Sequence, residues 1–275
     1  MAYTLNSNDL LTKYAIRAGH SPSSNLALQG MFDMPSRIGE TFHSWGDENG
    51  IEDWSASGDI YFGGRDLNLH GSIAGVNSVL NANLKTFYDD IQAVTGLNPL
   101  VTPYGNYSVI VRKVDPEYLP GGCSVAINFR EPVVDLTGGI LPASGVSDNT
   151  IDSIPLASFG LIPGSKKEVQ SLPDLKEMQF TKWGAEGYQI TKRKNKTLDL
   201  SGFVIGSSLA DFQLKIKKLY KIFSSPGLRT IKINAEISVS CFAISGFTVD
   251  NVYIYNSGMI GKFKINLQVI SVTNL

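Results

Sequence analysis

The side chains best suited to chemistry in this 275-residue sequence are His20, His43, His70, Cys123, Cys241 and the adjacent Asp89 and Asp90. The histidines lie more than twenty residues apart, and no H-x-H or H-E-x-x-H spacing puts two metal ligands on one face. The cysteines form no C-x-x-C, and each sits in an alternating apolar stretch ("GGCSVAINF", "ISVSCFAIS"), which reads as a buried, inert strand position. Asp89 and Asp90 fall on the polar side of a predicted helix, where carboxylates are usually just solvated; an acid/base couple is the other reading, against which adjacent helix positions point in different directions. The glycine run "GGRDLNLHGSIAG" has no G-K-[ST] after it and contains no G-x-G-x-x-G, and G-x-S-x-G is absent. It reads as turns and close backbone packing.

Lys192, Arg193, Lys194 and Lys196 in "TKRKNK" form the best nucleic-acid candidate, followed on a predicted helix by Lys215, Lys217, Lys218 and Lys221. Aromatic residues are not interleaved for base stacking, so this surface is expected to be solvated or to contact protein. The residues therefore assign no catalytic group, no cofactor and no metal, and the chain is not expected to be an enzyme.

What the sequence does contain is a repeat. Pro35, Phe42, Trp45 and Gly46 return as Pro173, Phe180, Trp183 and Gly184, each 138 positions on. Further along, Leu67, Leu69, Gly71 and Gly75 return as Leu198, Leu200, Gly202 and Gly206 at an offset of 131. The first copy holds the extra residues within "IEDWSASGDIYFGGRD", where a hairpin loop tolerates them. Trp45 and Trp183 are expected as core or hairpin anchors.

Each copy then runs into one amphipathic helix, predicted at roughly 78–92 and 208–223. Leu80, Leu84, Phe87, Tyr88 and Ile91 form the apolar face of the first, and Leu209, Phe212, Ile216, Leu219, Tyr220 and Phe223 that of the second. Asn77 or Ser78 and Ser207 or Ser208 are the expected N-caps, and Gly96 and Gly227 the expected left-handed stops. Alternating strands follow both helices. In the last, Phe263, Ile265, Leu267 and Val269 should face in, and Lys262, Lys264, Asn266 and Gln268 out.

The fold class expected is mainly β (α+β), as two tandem homologous domains. Residues 1–140 are copy one, residues 141–275 copy two, and the Gly/Ser/Asp-rich stretch around 132–154 the linker. Residues 1–140 carry 8 Lys/Arg against 15 Asp/Glu, a net of −7, and residues 141–275 carry 16 against 10, a net of +6. No run approaches the apolar length of a membrane span, and "MAYTLNSNDLLTKY" lacks the pattern of a signal peptide, so synthesis in a cytoplasm is expected.

The stretch "TLDLSGFVIGSSLADFQLKIKKLYKIFSSPGLRTIKI" (197–233) resembles the N-terminal domain of phage distal tail proteins and their tail-tube relatives. That family has a strand ending in L-x-G, a loop, a helix of four turns, then P-G leading into a hairpin. Leu200, Gly202, Leu209, Leu219, Pro226, Gly227 and Leu228 stand at matching positions, and "GKFKINLQVI" is similar to the family's closing strand. In copy one Thr95-Gly96 replaces Pro-Gly. The resemblance implies that each copy is a β-barrel or sandwich flanked by its helix, and that such domains form a ring around a DNA channel.

It further implies a virion protein of the tail that meets other tail proteins, lets DNA pass without reading its sequence, and has no membrane span. The duplication suggests a homo-oligomer in which opposite-sign copies alternate, three chains supplying six places, with a hexamer as the other arrangement. A distal tail or baseplate role is preferred to a tail-tube or hub role. The competing expectation is a non-enzymatic binding module of two β-sandwiches, for a cell surface or a glycan.

Overall fold

The computed structural model describes all residues except 1, 22, 55–57, 59, 168–171, 183, 235, 236, 257 and 275. The chain is mainly β. It opens with β1 (Thr4–Leu5), β2 (Asn8–Asp9), α1 (Leu10–Tyr14), β3 (Arg17–Ala18) and β4 (Leu28–Gln29). An arm of short strands follows: β5 (Arg37–Ile38), β6 (Phe42–His43), β7 (Glu52–Asp53) and β8 (Tyr61–Phe62), with β5 on β8 and β6 on β7. Then come β9 (Arg65–Ala74), α2 (Asn77–Gln92), β10 (Asn98–Thr102), β11 (Gly105–Leu119) and β12 (Gly122–Glu131).

The second half begins with β13 (Thr150–Ile151), β14 (Ile154–Pro155), a 3-10 turn at Leu156–Phe159 and β15 (Leu161–Lys167). A hairpin of β16 (Leu175–Lys182) and β17 (Ala185–Arg193) stands where the arm stands in the first half. It is followed by β18 (Lys196–Gly206), α3 (Leu209–Ser224), β19 (Arg229–Ile233), β20 (Ile237–Ala243), β21 (Thr248–Tyr255) and β22 (Gly258–Asn274). The first sheet runs β2-β1-β10-β11-β12-β9-β3, with β4 also on β9; the second runs β14-β13-β19-β20-β22-β18-β15, with β21 also on β22.

The period-two pattern explains these strands. Leu67, Leu69 and Ile73 of β9 are buried, as are Leu198, Leu200 and Val204 of β18. The glycine two residues after the leucine has a packing reason: a Cβ on Gly202 would overlap the carbonyl of Ile162 on β15 and lie 3.1 Å from the Cα of Pro163. Gly71 meets β3 in the same way, 3.1 Å from the carbonyl oxygen of Arg17. In β22, Phe263, Ile265, Leu267 and Val269 are buried as predicted, but so is Gln268, at 1% exposure. Its amide donates to the backbone oxygen of Lys196 at 3.1 Å, which satisfies a polar group that alternation alone places in water.

Both helices are two residues or fewer from their predicted bounds, and the N-cap of α3 is one of the two expected serines, but the other caps differ from expectation. Ser208 caps α3, accepting from the Asp211 backbone N–H at 3.2 Å, while Asp211 accepts from the Ser207 N–H at 2.8 Å. For α2 the cap position is Val76, with no side-chain hydrogen bond, so neither Asn77 nor Ser78 serves. Gly227 does adopt a left-handed φ of +89°, yet the helix ends earlier, at Ser225; α2 ends at Ala93 in a right-handed conformation, so Gly96 does not cap it.

Residues 132–149 carry no regular structure, and β13 already belongs to the second sheet, so the connection is shorter than the predicted 132–154. Leu136 and Leu141 of this connection pack on the core. That core is one continuous cluster, running from Leu5 in the first half to Val269 in the second.

Candidate functional site: the junction of the two halves

Arg65, the first residue of β9, lies opposite Glu131, the last of β12, and both point inward. Arg65 is 9% exposed and Glu131 8%. The Arg65 Nε donates to Glu131 Oε2 at 2.6 Å, and its Nη1 donates to the Met31 oxygen at 2.6 Å, the Asp33 oxygen at 3.2 Å and the Tyr220 hydroxyl at 2.8 Å. Tyr220, on α3, in turn donates to the Asp33 backbone oxygen at 3.0 Å. The guanidinium also stands over the Tyr107 ring, 5.7 Å from its centroid. A charge of the first half is thus satisfied jointly by its own strand and by the helix of the second.

Burial works against the Arg65 charge, but Tyr220 and Glu131 more than offset it, and its pKa lies above the ordinary value. Burial also raises the Tyr220 phenol and pushes Tyr107 up to about 12, so both stay protonated. Asp33 is the group displaced into a reachable range: burial pushes its carboxyl up to about 6, partly opposed by the Val249 N–H that it accepts at 2.7 Å. Beside this network a cleft of about 340 Å³ opens between Tyr104, Asn106, Asp135, Gln213 and Lys217.

The segment 24–34 continues the junction along β21. The Ser24 hydroxyl donates to the Val252 oxygen, and Asn25 exchanges two bonds with Ile254, at 2.7 and 2.8 Å. Met34 N–H donates to the Phe247 oxygen at 2.9 Å. Here Gly246 is indispensable: a Cβ would overlap the Met34 carbonyl and lie 2.6 Å from the Pro35 oxygen. Phe32 packs edge-on against Phe212 of α3, ring centroids 5.0 Å apart. Farther out, Lys176 donates to the backbone oxygens of Trp45, Glu48 and Gly50, and the Arg193 N–H donates to Asn49 Oδ1 at 2.9 Å. The acidic arm therefore rests on the basic hairpin.

The residues singled out for chemistry are scattered. His20 is exposed; His43 packs edge-on against Trp45, 4.2 Å between centroids; His70 lies on β9 with its Nε2 buried and without a partner, and burial lowers its pKa. Among the described residues no cluster of three or more His, Cys, Asp or Glu could hold a metal. Asp89 pairs with Lys85 at 2.6 Å, whereas Asp90 pairs with Lys13 at 2.6 Å and accepts from the Tyr14 hydroxyl at 2.7 Å, so the two carboxylates serve different neighbours. Both cysteines are buried, and burial pushes the Cys241 thiol up to about 12.

Of the basic residues, Lys192 and Lys194 are exposed, and Lys215 is tied to Asp211 and to the Ile205 oxygen. Lys217 lies against Gly138 and Gly139 of the connection. Trp45 is 45% exposed on the arm, an outward position rather than a core one; Trp183 lies outside the described residues. Among the described residues no helix is long and apolar enough to cross a membrane.

Sequence reasoning missed the junction residues Arg65, Glu131 and Asp33. A signal existed for two of them: Arg65 and Glu131 each occupy the inward phase of an alternating strand, where a charge needs a partner.

No protein-family model matches the chain, and no curated protein does. Solved structures do match, among them the crystal structure of the SPP1 Dit (gp 19.1) protein, described as a paradigm of hub adsorption apparatus in Gram-positive infecting phages. The identity is 9% and the TM-score 0.36, over 98% of this chain and 99% of that one. The likeness spans both chains from end to end but is too loose to carry a fold or a function across.

Proposed function

We propose that the chain is a structural component of a phage tail, at the distal tail or baseplate, in which two tube-like domains, residues 1–140 and 141–275, fill neighbouring places in a ring around the DNA channel. The observation that carries this reading is the strand order. Each half lays its strands in the same sequence, places its long helix after the second-last strand of that order, and inserts a hairpin before it. The reading also draws on the motifs of the resemblance, of which Leu200 and Gly202 lie on β18, Leu209 and Leu219 on α3, and Pro226-Gly227 before the hairpin of β19 and β20.

In this reading the protein works by shape. Its buried polar groups fix the mutual orientation of two domains, and it has no catalytic, cofactor or metal residues. Its partners are copies of itself, three chains giving six places, and other tail proteins. DNA passes through without being read, and the protein resides in the virion. Negative-stain imaging of the purified protein is the test: closed rings with six density lobes are expected, and a monomer at every concentration would sink the reading. A second reading, a glycan- or surface-binding module, draws on the exposed Trp45, Trp54 and Tyr61 of the arm. It expects a monomer that loses binding when those rings are removed.

A further inference from the structure

The longest strand of the second sheet outruns its neighbour. Pairing of β18 with β22 starts at Lys196 opposite Val269, and Ile270–Asn274 continue beyond it with no strand on that side among the described residues. On the other side Ser271–Asn274 are paired with β20, and Ile270 is the extra residue where that register shifts. Val272 is 40% exposed. An unpaired row of backbone N–H and C=O groups is a template for another strand, and natural proteins normally blunt such edges with charge or proline. The first sheet does so: β11 outruns β10 in the same manner, and its free stretch carries Lys113, Asp115, Pro116 and Glu117. Ile270, Ser271, Val272 and Thr273 carry neither charge nor proline.

Beside this edge lies a groove of about 380 Å³, whose floor includes Ile270, Ser271 and Val272 and whose charged lining is Arg193, Lys194 and Lys196. Among the described residues no carboxylate lines it. Such a groove favours an extended chain with acidic side chains and repels a basic one. The first half of the chain has the matching sign, 15 Asp/Glu against 8 Lys/Arg in residues 1–140. Within the molecule the same basic hairpin already takes a segment of that acidic half, since Gly50 N–H donates to the Arg193 oxygen at 3.1 Å.

We infer that the edge Ile270–Asn274 of β22, with Arg193, Lys194 and Lys196, accepts an extended acidic segment from the first half of a second copy of this chain. The inference deepens the ring reading and rests on it. The groove supplies the contact by which the basic half of one chain holds the acidic half of the next.

The test mixes isotope-labelled and unlabelled full-length chains and treats the assemblies with a zero-length carbodiimide. Mass spectrometry then reads the amide links between differently labelled chains. Links from Lys194 to Asp or Glu of residues 1–140 are expected. Lys194→Glu and Val272→Glu, both at exposed positions, should keep the wild-type melting temperature while raising the half-assembly concentration about tenfold; Lys194→Arg should assemble as wild type.

If rings form with inter-chain links elsewhere, and both glutamate variants assemble normally, the groove inference fails and the ring reading stands. Links from Lys194 to carboxylates of residues 141–275 would overturn the choice of occupant. A monomer at all concentrations without any inter-chain link would overturn both.

Discussion

Arg65 is where the two halves of the molecule depend on one side chain. Its ion pair with Glu131 is buried, so the attraction is set against a large desolvation cost, and removing one member leaves the other charged and unpaired. Arg65→Ala is expected to cost about 3–5 kcal/mol, most of it from stranding Glu131. The double replacement Arg65→Met with Glu131→Leu should recover most of that loss, because a packed apolar pair of similar volume is nearly neutral. Tyr220→Phe, which removes one acceptor of the guanidinium, should cost about 1–3 kcal/mol. Urea titrations of the four proteins would check the ordering; a double variant as unstable as Arg65→Ala would refute this account.

Asp33 gives the same junction a pH dependence. Its carboxyl is displaced from the usual 3.8 to about 6, so between those values the folded state holds a proton that the unfolded state releases. The stability contributed by Asp33 is therefore fully present below pH 4, declines as pH rises through 6, and stays lower above it. Asp33→Asn should remove that decline. The difference in melting temperature between variant and wild type should grow from pH 4 to 6 in the variant's favour and then level off. A constant difference would mean that Asp33 is not protonated in the fold.

At the scale of the element, the two halves differ most in their helices. Leu80, Leu84 and Phe87 are the buried residues of α2, whereas α3 buries six, including Tyr220 and Ile222. Part of the difference is the first half lying against α3, where Tyr220 meets Arg65; Phe223 packs instead on Phe247 and Phe263 of its own half. The helices themselves were legible in the sequence to within two residues, because a 3.6-residue apolar period is a local signal. So were the strands with L-x-G and the inward face of β22. The junction was not legible, since Arg65 and Tyr220 are 155 residues apart and no local period links them. Gln268 was misassigned for a related reason: its partner is a backbone oxygen on another strand. Of the two expectations for Trp45, core or hairpin anchor, the hairpin position is the one it takes: it lies between β6 and β7 with its indole N–H on Glu52, and nothing local shows that the arm points it outward.

Gly246 offers the sharpest test of how closely the elements approach. Gly246→Ala pushes a methyl into the carbonyl of Met34, a backbone group held in place by its own N–H bond to Phe247. Neither side can move without breaking the junction, so a loss of about 3 kcal/mol is expected, at the upper end for overpacking. Gly46→Ala is the control, with nothing within 4 Å of its added Cβ. It should leave the melting temperature within a degree or so, about 0.5 kcal/mol or less. Equal effects of the two substitutions would show that the halves are not held at Gly246.

At the scale of the whole molecule, sequence and structure invite different expectations of folding. A duplicated chain with opposite charges in its halves suggests two domains on a connection, each unfolding at its own temperature. The structure instead has one buried cluster through both sheets, a connection pinned by Leu136 and Leu141, and a shared buried ion network. Loss of either half would expose Phe32, Phe212 and Tyr220 together and strand Arg65. The halves should therefore melt as one unit. In scanning calorimetry a single transition is expected, with calorimetric and van't Hoff enthalpies in agreement. Arg65→Ala, which weakens the junction without touching either sheet's far edge, should split or broaden that transition. Two resolved transitions in the wild-type protein would mean that the junction adds little to either half, and that the halves are joined chiefly by the connection between them.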